Sequence, residues 1–270
     1  MIKARLNNIF ALALILLFTN CQEPIKGCLD ARATNFDVTA ARACEDNCCL
    51  FPNLRLQFNY VFDTFNLTFN RSYLFGTDSV KILSSQFYVS NCQLTKPDGT
   101  KATVLDSTFL YRDTDTLSVP SYYALAGKNV GFDFTLGKFN NVGTYSKLSF
   151  IVGLDAEAAK TIPRKMPSSH PLSIKADSMY ISSQKQYIFH KMNLVRTSKI
   201  TDTLRLVIIT PKPIELTAVR NLVFKDGFDA LVPLKVDYKK WLEGVNFNEP
   251  INSIQEKIVS NTSKAFLLNQ

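Results

Sequence analysis

The 270-residue chain holds two histidines, one tryptophan and four methionines, and this scarcity narrows its chemistry before any motif is considered. No serine stands in a Gly-x-Ser-x-Gly elbow, no His-Glu-x-x-His pair is present, and no glycine-rich loop is spaced to cradle phosphate. The known nucleophilic, zinc-protease and nucleotide-binding signatures are therefore absent, and the sequence reads as that of a non-enzyme. Asp106, Asp113 and Asp115 come closest to a carboxylate cluster, but two of them lie in the polar turn Tyr111-Arg112-Asp113-Thr114-Asp115-Thr116, which solvation explains. The Cys-x-x-Cys spacing of thiolate metal sites is missing too. A formal net charge of +8 is spread along the chain, with no aromatic-interleaved basic run, so no nucleic-acid partner is expected.

What is present begins with an address. Lys3 and Arg5 precede an apolar run, Ile9–Phe18, which stops at Leu17-Phe18-Thr19-Asn20-Cys21. The run is short for a membrane-spanning helix of about 20 residues, and it looks like a bacterial lipoprotein signal. Residues 1–20 are expected to be removed and Cys21 acylated, which places the protein in the cell envelope as an outer-membrane lipoprotein on the periplasmic side or the cell surface, with the membrane as partner.

That compartment permits disulfides. Cys28, Cys44, Cys48, Cys49 and Cys92 are all candidates, and their odd number leaves one thiol over. Four of them crowd into a stretch with little apolar content, so a small disulfide-stapled segment over residues 21–53 is expected, its pairing open. Asp30, Asn35 and Asp37 are oxygen donors of the kind calcium takes, although Asn and Asp also close side-chain-to-backbone turns. The opening Gly27-Cys28-x-Asp30-x-x-Ala33-x-Asn35-Phe36-Asp37 resembles a cysteine-rich motif common near the N-terminus of exported Bacteroidetes proteins.

From Leu54 the texture becomes period two, as in Leu54-Arg55-Leu56-Gln57-Phe58-Asn59-Tyr60. Val80–Leu94 reads as strand and Lys96-Pro97-Asp98-Gly99 as a turn, with Lys101–Tyr111 returning as its hairpin partner. Val130–Leu136, Arg220–Phe224, Leu231–Val236 and Phe266–Leu268 alternate similarly. Leu204–Thr210 is an apolar, β-branched run suited to a strand covered on both faces. Val236–Gly244 reads as a short helical turn and Ile251–Phe266 as a helix. Many short strands without βαβ alternation indicate an all-β, antiparallel, Ig-like β-sandwich over residues 54–270 with one or two short helices.

The chain is organised around residues 143–192, where strands Tyr145–Leu154 and Met179–Met192 bracket a polar excursion. His170, flanked by Pro167 and Pro171, is expected to be accessible there, and Met166 and Met179 lie in the same stretch. Imidazole with thioether is a donor set that copper accepts, so these three are the candidate metal ligands. Tyr122, Tyr123 and Phe139 are the candidates for a glycan-stacking platform.

Ser85-Gln86-Phe87-Tyr88-Val89-Ser90-Asn91-Cys92-Gln93-Leu94 with Pro97-Asp98-Gly99, then Gly143-Thr144-Tyr145-Ser146-Lys147-Leu148-Ser149-Phe150-Ile151-Val152-Gly153-Leu154-Asp155, then Asp177-Ser178-Met179-Tyr180 ahead of Tyr187-Ile188-Phe189, and Val236-Asp237-Tyr238-Lys239-Lys240-Trp241-Leu242 near the end, follow one another in family order. In these blocks the chain resembles the MbnP-like family. The resemblance implies a periplasmic or lipid-anchored β-sandwich, copper as ligand, and a di-haem cytochrome peroxidase-like partner. Ile181, Ser183 and Gln186 stand where the family pattern carries two tryptophans and a glycine.

Overall fold

Leu54, Leu56 and Phe58 are buried on one face of a strand while Arg55 and Gln57 between them stay half exposed, the outcome that period-two alternation requires. The computed structural model describes residues 23–127, 133–174 and 179–269, apart from the side chains of residues 200 and 201. The expected leader, Cys21, Asp177, Ser178 and the start of the strand expected at Val130 lie outside them. Among the described residues no helix is long and apolar enough to cross a membrane.

The principal strands are β1 (Asn53–Phe62), β2 (Asp78–Thr95), β3 (Ala124–Gly127), β4 (Asp133–Lys138), β5 (Gly143–Val152), β6 (His190–Arg196), β7 (Lys199–Ile208), β8 (Lys212–Phe224), β9 (Ala230–Asp237) and β10 (Phe266–Leu268), with helices α1 (Tyr238–Trp241) and α2 (Ile251–Ala265) between the last two. One sheet runs β7-β6-β2-β5-β8, with β3 and the short strands Ser72–Phe75 and Lys101–Ala102 also paired to β2. The other runs β4-β1-β9-β10. The all-β sandwich is as expected and, among the described residues, its pairs are antiparallel with one exception: β1 and β9 run parallel, from Leu54 opposite Ala230 to Val61 opposite Asp237. Almost the whole domain separates these two strands in sequence, so no hairpin fixes their direction.

Between the sheets, Phe58 of β1 meets the edge of Phe87 of β2 at 5.8 Å, and Phe87 in turn meets Trp241 and Phe266 at 5.5 and 5.6 Å. Each such buried large side chain contributes about 1.5–3 kcal/mol relative to exposure. Residues 85–90 of β2 are buried without interruption. Phe87 and Val89 point into the inter-sheet core, whereas Tyr88 enters a second cluster on the outer face with Leu110, Leu154, Leu172 and Tyr187.

Several expectations need correction. The strand expected over Met179–Met192 is broken into Tyr180–Ile181, a 3₁₀ turn at Ser182–Gln184, Gln186–Tyr187 and then β6. Lys185 at φ +49° turns the chain sharply, and this folds Tyr180 back onto Tyr187. The turn after β2 forms as expected, Gly99 N–H donating to Lys96 O at 3.0 Å, but only Lys101–Ala102 returns along β2. Ser107–Tyr111 pairs instead with Thr116–Pro120. The run Leu204–Thr210 is not covered on both faces: β7 is the edge of its sheet, and Arg205 and Ile209 are exposed. Its flank is shielded by α2, whose Gln255 Nε2 donates to Val207 O at 2.7 Å, one way of blunting an edge strand.

Near the N-terminus Cys28 bonds Cys49 and Cys44 bonds Cys48. Cys92 is therefore not a disulfide partner; it is a free thiol buried on β2, in the inter-sheet core. Asp37 takes the turn-closing role, whereas Asn35 ties its loop to backbone 13 and 15 positions further on. Asn35 accepts from Leu50 N and donates to Cys48 O, and Asp37 accepts from the Thr39 amide and hydroxyl. Asp30 binds Arg32.

Candidate functional site

The outer face of the β2 sheet is roofed by residues 154–174 and 179–189, and Asp155 fastens the roof. Its amide donates to Ser90 Oγ at 3.1 Å, while Ser90 Oγ donates to Gly153 O at 3.0 Å. One Asp155 carboxylate oxygen accepts from the Glu157 and Ala158 amides, and the other accepts from Tyr123 Oη at 3.1 Å. Burial first, then the Asp155 charge, pushes the Tyr123 hydroxyl well above its ordinary range, so it remains a donor. Gly153, at φ +120°, lets the chain leave the sheet; a Cβ there would stand 3.0 Å from the Phe189 ring.

Beyond Asp155 the chain makes two short 3₁₀ turns, Ala158–Lys160 and Pro163–Lys165, with proline presetting the start of the second. The Ile162 amide donates to Tyr111 O at 2.8 Å, and Arg112 pairs with both Asp115 and Glu157, so the Ser107–Pro120 hairpin and the roof form one unit. Tyr187 Oη donates to Leu172 O at 2.7 Å from the other side.

His170 lies in this roof but is half buried rather than openly accessible. Its Nδ1 accepts from the Leu172 amide at 3.1 Å, and its ring rests 6.0 Å from that of Tyr123. Met166 and Met179 are both buried, and they belong with Tyr123, Leu172 and Tyr187 to the same outer cluster. The three candidate ligands thus share one lobe, whereas Met192 is in the inter-sheet core. Tyr123 and Phe139 are 5 % and 2 % exposed, which removes the proposed glycan platform.

A separate cluster lies in the N-terminal segment, where the sulfurs of Cys44, Cys48 and Cys49 fall within 4.8 Å of one another. All three are engaged in disulfides, so none offers a thiolate.

The sequence places His190 only on a strand face. It is 2 % exposed, stacked on Trp241 and 3.2 Å from Ser85 Oγ through Nε2. Trp241 Nε1 donates to Thr262 Oγ1 at 3.0 Å. The inward register of β6 was available from its alternation; the meeting with Trp241 was not, because the two are 51 positions apart.

Two facing sheets, with a packed lobe of loops roofing the outer face of one, define a β-sandwich with a loop lobe on one side. The MbnP family model matches residues 52–258, and the chain belongs to the MbnP family. Among solved structures, MbnP from Methylosinus trichosporium is similar over 72 % of this chain and 78 % of that one, at 12 % identity and a TM-score of 0.43. No curated protein matches the chain.

Proposed function

We propose that this chain is an exported lipoprotein, held at the outer membrane through lipid on Cys21, that uses the MbnP scaffold as a non-catalytic binding module of the cell envelope and keeps no resident copper at His170, Met166 and Met179. The hydrogen bond from the Leu172 amide to His170 Nδ1, 3.1 Å long, carries this reading. A neutral imidazole has one N–H and one lone pair. Accepting at Nδ1 puts the proton on Nε2, so neither nitrogen offers a lone pair to a metal unless that bond breaks. These residues as arranged do not fit a copper ion. Ile181, Ser183 and Gln186, which replace the tryptophans and glycine of the family pattern, support the same view.

A copper-binding lipoprotein, served by a di-haem cytochrome peroxidase-like partner, is the second reading. It is favoured by the gathering of two thioethers and the Tyr123 partner of His170 in one water-poor cluster. Titration of residues 22–270 with Cu(I) and Cu(II), beside His170→Ala, separates the two. No stoichiometric binding by either protein is expected; one copper per chain, lost in His170→Ala, overturns the first reading. Incorporation of labelled palmitate that disappears in Cys21→Ser tests the anchor.

A further inference from the structure

A cavity of about 540 Å³ opens on the roof between the two 3₁₀ turns and the Tyr180–Tyr187 hairpin, a volume typical of small-ligand sites, about 300–1,000 Å³. The geometry points to a binding site there for a small soluble organic anion, a carboxylate or phosphate head on a short apolar body; this rests on the reading of the scaffold as a binding module.

The charges lining the cavity are lopsided. Among the described residues, Lys160, Arg164 and Lys185 stand against the single carboxylate of Asp113. Lys160 is paired with Glu157 at 3.0 Å, but its side chain is 61 % exposed, so the pair is weak and leaves the ammonium able to serve a ligand. Among the described residues Arg164 and Lys185 take part in no ion pair. Lys185 is held in the left-handed region, which glycine or asparagine occupies with less strain. Strain of this kind persists where the surroundings enforce it and clusters at ligand sites. Clustered cations in a recess focus the field on an incoming anion.

Thr161 also lines the cavity. It is 2 % exposed, and its hydroxyl has no hydrogen-bond partner. Buried polar groups are nearly always paired, but the Thr161 hydroxyl is closed off behind the cavity wall and offers nothing to a ligand. Burial first, and the Asp113 carboxylate second, hold the Tyr180 hydroxyl above its ordinary range, so it stays a donor on the facing wall. Ile162, Pro163 and Ile174 supply the apolar surface for the body of the ligand. Arginine with its planar fork suits a carboxylate or phosphate head.

Calorimetric titration of residues 22–270 with hexanoate and hexyl phosphate, and with inorganic phosphate alone, tests the site. At least one amphiphilic anion is expected to saturate, more tightly than inorganic phosphate, and about tenfold or more weakly in Arg164→Glu/Lys185→Glu. Thr161→Val is expected to raise the melting temperature of the free chain and to leave the anion affinity unchanged. Absence of saturation, equal affinity in the charge-reversed variant, inorganic phosphate binding as tightly as hexyl phosphate, or binding only to phosphatidylglycerol vesicles overturns the proposal. Cu(I) is added to parallel samples. Copper uptake alone would sink the copper-free reading and leave the anion result standing, whereas loss of anion binding without copper uptake removes this site only.

Discussion

The His190 imidazole lies face to face with the Trp241 indole, ring centroids 4.2 Å apart and planes 26° from parallel. The pair closes the seam between β6 and α1, with Phe87 edge-on to both rings. Among the described residues no charged group shifts the imidazole, and its polar neighbour is the Ser85 hydroxyl. Burial accordingly pushes its pKa down from 6.5 to about 3.

The consequence is a pH dependence with a definite sign. Between the two values the unfolded chain binds a proton that the folded chain refuses. Stability from this residue is complete above pH 6.5 and falls as the pH drops towards 3, by about 1.4 kcal/mol per unit inside that window. Urea midpoints measured from pH 4 to 7 should slope downward with acid in the parent and less steeply in His190→Phe. Equal slopes would show that the buried imidazole is not responsible.

Trp241 is fully buried between Phe87, Tyr238, Phe266 and His190. Trp241→Ala should cost about 3–5 kcal/mol. Trp241→Phe should cost less, because Thr262 Oγ1 keeps its bond to Ile258 O when the indole donor is lost. Denaturant unfolding followed by circular dichroism measures both, and a loss under about 1 kcal/mol in the alanine variant would contradict the packing.

Gly127 lies at φ +125°, and a Cβ there would come within 2.0 Å of the Ser85 carbonyl oxygen. Backbone cannot yield as a flexible side chain does, so Gly127→Ala should destabilise by about 3 kcal/mol or more, or prevent folding. Because β3 pairs with β2 at Gln86 and Phe87, the damage should reach the His190 seam. A near-neutral melting temperature would contradict the close approach.

Thiol counting checks the cysteine framework. Burial pushes Cys92 up to about 12, so residues 22–270 should show no reactive thiol at pH 8 when native and one in denaturant. Reduction in denaturant should expose the four remaining sulfurs of Cys28, Cys44, Cys48 and Cys49. A fast-reacting native thiol would mean that one pair is open.

What was legible in the sequence is what local periodicity carries. The alternation of Leu54, Leu56 and Phe58 marks β1, the 3.6-residue spacing of Ile254 and Ile258 marks α2, and Pro97-Asp98-Gly99 marks its turn. Residues 85–90 were also readable as strand, but their burial on both faces depends on a roof supplied some seventy to a hundred positions later in the chain. Periodicity could not show that Met179–Met192 breaks, because Lys185 takes a left-handed conformation that its residue type does not advertise. Likewise, the flanking prolines said that His170 lay in a loop. The Leu172 amide at its Nδ1, which decides what the ring can bind, is a matter of tertiary geometry.

The most direct measurement is the copper content of the protein isolated from the cells that make it, with His170→Ala prepared in parallel. A scaffold whose imidazole is committed to Leu172 predicts substoichiometric copper, equal in the two preparations. One copper per chain in the parent, absent from His170→Ala, would contradict it and restore the lobe of Met166, Met179 and His170 as a metal centre.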